Sequence, residues 1–157
     1  METLIQAVRE ISAVLAIIIT NLIFVSVFAS WFFAQTLKVF IVLVTKRTFD
    51  FKMFVGTGGM PSSHTATVTA ASMAVGLSTG FDSAVFMVCL CFSIVVISDA
   101  LGVRRAAGKQ AAVLNRMMDE IGHNRFNSGR LKELLGHTPM EAFAGILIGI
   151  VIPVLIF

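Results

Sequence analysis

The chain has 157 residues, 57% of them hydrophobic and only 13% charged, with a net charge of +3 and a mean hydropathy of +0.91. A soluble domain carries about a quarter charged residues, and a core of this size cannot hide so much apolar surface. Composition therefore excludes an ordinary soluble domain and points to a single integral membrane domain over residues 1–157, built from helices long enough to cross a bilayer.

In chain order, the first predicted helix covers Glu2–Thr20. It is amphipathic at its start (Glu2, Gln6, Arg9, Glu10) and apolar from Ile11. It lacks a basic leader and a small-residue cleavage site, so no cleaved signal peptide is expected. Asn21 interrupts the pattern, and a second apolar helix follows over 22–44, ending at Thr45, Lys46 and Arg47. Lys38 stands inside it, about seven residues or ~10 Å from the basic end. Such a lysine either snorkels to the interface or serves a site.

A polar loop over 46–60 leads into Gly58-Gly59-Met60-Pro61-Ser62-Ser63-His64-Thr65. Two glycines permit a positive φ and close backbone approach, and Ser62 or Ser63 can cap the helix that follows. Free N–H groups, hydroxyls and an imidazole then converge, as in anion sites at helix N-termini. A small-residue helix over 65–77, a turn over 78–82 and a strongly apolar helix over 84–96 come next, with Ser98 and Asp99 at its far end. Cys89 and Cys91 are two apart, so they point to different faces, and they are expected to be buried small hydrophobes.

From Gly102 the chain turns polar. Val103, Ala107, Ala111, Leu114 and Met118 recur at helical spacing among Arg104, Arg105, Lys109, Gln110 and Arg116. Arginine forks suit phosphate oxygens, and basic residues also attract anionic headgroups. A break at Gly122-His123-Asn124 and a short helix over 128–135 are expected, with His123 at the surface. Thr138-Pro139-Met140-Glu141 then opens a last apolar helix, in which Gly145 and Gly149 form a packing face. His137 and Glu141 are one turn apart, so the carboxylate can orient the imidazole. The same four residues also read as a capping box with proline at the first helical position.

Basic residues (Lys46, Arg47 and Lys52) follow the second helix and others fill the polar segment, while the turn near Gly80 has none. The positive-inside rule then places the central motif, Asp99, the basic helix and His137 together on the cytoplasmic side. The N-terminus is cytoplasmic and the C-terminus outside. The expected fold is an all-α polytopic bundle of about five spans with an interfacial amphipathic helix.

Pro61-Ser62-Ser63-His64 resembles the second signature of the type 2 phosphatidic acid phosphatase and vanadium haloperoxidase superfamily, usually Pro-Ser-Gly-His. His137 to Glu141 resembles the histidine and acid of its third signature, with Glu replacing Asp. Asp99-Ala-Leu-Gly-Val-Arg-Arg-Ala-Ala-Gly-Lys-Gln-Ala, Leu114-Asn115 and Leu134-Leu135-Gly136-His137-Thr138-Pro139 are similar to the superfamily's divergent branch of small membrane proteins. The resemblance implies a phosphatase-like core over residues 21–157 and phosphomonoester hydrolysis through a phosphohistidine, without a metal or other cofactor. It implies His137 as nucleophile, Glu141 as its orienting acid and His64 as general acid. Lys38, Ser62, Ser63, Gly59, Arg104 and Arg105 would hold the phosphoryl group, with Asp99 or Arg130 in an orienting role. The first signature, Lys-x6-Arg-Pro, is absent, and Lys38 stands for its lysine. The Ser-Arg usually found before the third-signature histidine is split here as Ser128-Gly129-Arg130.

The expected substrate is a phosphorylated lipid in a bacterial-type inner membrane. A cytoplasmic site favours phosphatidylglycerophosphate, and an inverted one favours an isoprenyl pyrophosphate such as undecaprenyl pyrophosphate. Membrane lipids are the expected surroundings, no nucleic acid partner is expected, and the small-residue helices allow a homodimer. The rival class is a non-catalytic lipid- or anion-binding protein or transporter, which would bind without hydrolysing. Transporters commonly carry internal repeats, and none is visible here.

Overall fold

The computed structural model describes residues 1–46, 59–121, 131 and 136–157. Within them every regular element is an α-helix: α1 (Glu2–Thr20), α2 (Leu22–Lys46), α3 (Ser63–Thr79), α4 (Ala84–Leu101), α5 (Val103–Ile121) and α6 (Pro139–Ile156). The boundaries follow local chemistry. Asn21 separates α1 from α2, and its Oδ1 accepts from the N–H groups of Ile23 and Phe24 at 2.8 and 3.3 Å. Ser62 caps α3 by accepting from Thr65 N, and Ser83 caps α4 by accepting from Phe86 N. Gly80, at φ 92°, ends α3.

Leu22–Thr45, Ala84–Glu120 and Pro139–Ile156 are long and apolar enough to cross a membrane; the middle stretch runs through α4 into the amphipathic α5. The polytopic all-helical bundle therefore stands. Neither α1 nor α3 is among these three. In α3 the reason is its place in the bundle. It packs against α2, α4 and α6, so its Ala, Ser and Thr side chains face other helices and lipid-like hydropathy is not required of it. Small residues allow that close approach. A Cβ on Gly145 would lie 2.5 Å from the Ser62 carbonyl oxygen, and one on Gly149 would lie 2.7 Å from that of Ala66. Between α3 and α4, Ser93 Oγ donates to the Val68 carbonyl at 2.8 Å and shares a 2.7 Å bond with Ser72 Oγ.

One sequence expectation changes. Cys89 is only partly buried and Cys91 is exposed; both are free thiols. The cause is position: α4 lies at the edge of the bundle, so most of its side chains point outward, and in a membrane protein outward means toward lipid. In α5 the inward positions are Gly108, Ala111 and Asn115, while Val103 and Leu114 are exposed. The apolar stripe of an amphipathic helix need not be its protein-facing stripe. The expected short helix over 128–135 lies outside the described residues except for Leu131, which is not helical, and its backbone N–H and carbonyl bond the Asn115 amide at 3.0 and 2.9 Å. His123, too, lies outside the described residues.

Candidate functional site

The site forms where the first turns of α3 and α6 meet. Gly59, at φ 87°, presents its open face to the Lys38 stem: a Cβ there would sit 3.6 and 3.7 Å from Lys38 Cγ and Cδ. Ser62 then starts α3. Its hydroxyl is fully buried and accepts from Thr65 N at 3.2 Å and from Thr65 Oγ1 at 2.9 Å, while its own N–H donates to the Glu141 carbonyl at 3.0 Å. Ser62 is thus chiefly the hinge pin between two helices. The next N–H groups, of Ser63 and His64, lie in the first turn, where a helix supplies no acceptor of its own. Ser63 is buried, and His64 keeps an exposed edge.

Gly136 brings the second motif in. Its φ is 83°, and a Cβ would lie 2.5 Å from Arg105 N and 2.9 Å from the Ala100 carbonyl oxygen, so only glycine fits. That close passage lets His137 N donate to Ala100 O at 3.0 Å and fixes His137 against the end of α4. The His137 side chain is buried, and its Nδ1 lies 3.0 Å from Glu141 Oε2. The same oxygen accepts from Thr138 N at 3.2 Å, while Thr138 Oγ1 accepts from Glu141 N at 3.3 Å. Both sequence readings of this segment hold at once, because one carboxylate closes the capping box and grips the imidazole. A carboxylate accepts and does not donate, so Nδ1 carries the proton and Nε2 keeps a lone pair.

The rings of His64 and His137 stand 6.0 Å apart between centroids, inclined by 50°. Cations gather around them. Lys38 is 2% exposed although it lies within α2, and its Nζ donates to Gln35 Oε1 at 2.8 Å. Its charge reaches Glu141 and His64. Arg104 also acts on His64, while its Nε donates to Asp99 Oδ2 at 2.6 Å. Burial holds the His64 imidazole below its ordinary value of 6.5, and the nearby His137, Arg104 and Lys38 lower it further. Such a field suits an anion between the two rings.

Of the residues singled out from sequence, Gly59, Ser62, Ser63, His64, Lys38, Arg104, His137 and Glu141 come together. Asp99 serves Arg104 and not a histidine. Arg105 contributes its backbone beside Gly136, and its side chain is exposed. Arg130 lies outside the described residues. Gln35 was not foreseen; a lone amide in an apolar helix carries no motif, and its i,i+3 spacing from Lys38 is the one signal. Among the described residues no three His, Cys, Asp or Glu side chains group as metal ligands.

A family model described as the divergent PAP2 family matches residues 19–152. The chain is also similar to the uncharacterized membrane protein YuiD of Bacillus subtilis (strain 168), at 42% identity over 149 residues, covering 86% of this chain and 93% of the relative. No solved structure matches it.

Proposed function

The chain belongs to the divergent PAP2 family, and from that membership we propose that this integral membrane protein is a phosphoric monoester hydrolase acting on a phosphorylated lipid through a phosphohistidine. The observation that carries the reading is the neighbouring pair of imidazoles, one of them held by a carboxylate, with Lys38 and Arg104 close enough to act on His64.

In the first step His137 Nε2 attacks phosphorus as the bond from phosphorus to the lipid oxygen breaks. His64 gives its proton to that oxygen, and the lipid leaves as an alcohol from a monoester, or as the lipid monophosphate from a pyrophosphate. In the second step water attacks the phosphohistidine, the N–P bond breaks, and His64 takes the proton from water. Inorganic phosphate leaves and both histidines return to their starting states. Glu141 keeps the lone pair on Nε2 and stabilises the positive charge that grows on the ring. Lys38, Arg104 and the first-turn N–H groups of α3 balance the three phosphoryl oxygens, where most of the catalytic effect in phosphoryl transfer lies.

What supports a lipid substrate is the setting: three span-length apolar stretches, with His64 in the first turn of α3 and His137 just ahead of α6. A site on the cytoplasmic side of a bacterial-type inner membrane favours phosphatidylglycerophosphate; the opposite orientation favours undecaprenyl pyrophosphate. The test is phosphate release from a panel containing both, by the purified protein and by His137→Ala. Turnover of a lipid phosphate that His137→Ala abolishes supports the reading. Equal turnover by both proteins, or none by either, contradicts it.

A further inference from the structure

We propose that Gln35 is a positioning residue that aims the Lys38 ammonium at the phosphoryl group; the inference rests on the phosphatase reading above. Lys38 and Gln35 are one turn apart on α2, at 2% and 4% exposure, and Nζ donates to Oε1 at 2.8 Å. The Lys38 stem passes Gly59, where a Cβ would lie 3.6 and 3.7 Å from Cγ and Cδ, so the glycine leaves the stem free of a side chain on that flank. The head is therefore what Gln35 fixes, from one turn earlier on α2 itself. A lysine so near the end of an apolar helix otherwise extends toward the interface.

The chemistry of the amide explains why glutamine suits this place. An ammonium has three protons to donate and nothing to accept. The amide oxygen takes one of them and leaves the others for a ligand. Unlike a carboxylate, it does so without cancelling the charge that draws phosphate. Unlike an apolar side chain, it does not leave a buried cation short of an acceptor. Among the described residues the negative charge that acts on Lys38 is Glu141, which His137 and Thr138 already engage.

The experiment uses the full chain in detergent micelles with a lipid phosphate that the wild type hydrolyses, and compares Gln35→Met, Lys38→Met, the double variant and Gln35→Glu. Loss of one hydrogen bond to a charged group predicts a fall in kcat/KM of about tenfold for Gln35→Met. If Gln35 acts only through Lys38, the double variant is no slower than Lys38→Met alone. Wild-type kcat/KM in Gln35→Met, or losses that multiply in the double variant, overturns the inference and leaves the phosphatase reading intact. Should Gln35→Met not yield folded protein, Gln35→Glu decides through inhibition by inorganic phosphate: the inference expects Ki to rise about tenfold, and an unchanged Ki overturns it. A wild type with no turnover and no affinity for inorganic phosphate overturns both readings together.

Discussion

The Ser62 N–H donates to the Glu141 carbonyl oxygen across 3.0 Å, which bonds the cap of the helix carrying His64 to the first turn of the helix whose carboxylate holds His137. Two motifs far apart in the chain are thereby set in one register, and the 6.0 Å spacing of the two rings follows from backbone contact more than from side-chain packing.

That register depends on Gly145. A Cβ at this position would meet the Ser62 carbonyl oxygen at 2.5 Å and Thr65 Cβ at 3.0 Å, and neither is the end of a flexible chain. Gly145→Ala is expected to cost about 1–3 kcal/mol, read as a lower thermal midpoint in detergent. Hydrolysis by the protein that remains folded should fall as well, because α3 and α6 must part.

Glu141 does two jobs with one oxygen, and two substitutions separate them. Glu141→Gln keeps an acceptor for Thr138 N and loses the charge behind the imidazole; it should lower kcat by about a hundredfold with little change in thermal midpoint. Thr138→Ala removes the reciprocal half of the capping box; it should cost about 1 kcal/mol of stability with a smaller effect on kcat. Side-by-side melting curves and turnover measurements check the pair.

The pH dependence follows from His64. A general acid must be protonated in the free enzyme, and burial together with the nearby His137, Arg104 and Lys38 holds its proton less tightly than an ordinary histidine. The descending limb of kcat/KM should therefore fall as pH rises through a value below 6.5. Arg104→Met removes one of the cations that depress it, so the limb should move to higher pH. A pH profile of both proteins checks the sign.

Much of this arrangement is legible in the sequence where the signal is local. The caps at Ser62 and Thr138, the break at Asn21 and the turn at Gly80 each sit where a short pattern places them. The meeting of His64 with His137 is not local, and it follows only once the helices are threaded through a bilayer. The two cysteines read wrongly for a physical reason. Patterns calibrated on soluble cores assign apolar or small side chains to the interior, whereas an edge helix in a membrane turns them outward. The closeness of Gly136 to Arg105 is a tertiary contact that no spacing announces, and Gln35 gives only the weak signal of standing three residues before Lys38.

The most direct test is to quench the protein during turnover of a lipid labelled at its phosphate and to look for label bound to the chain. The phosphohistidine account predicts an acid-labile phosphoprotein, mapped to a peptide containing His137, that forms before free phosphate and is absent from His137→Ala. Continued lipid-phosphate hydrolysis by His137→Ala, or label trapped on any other residue, would contradict it.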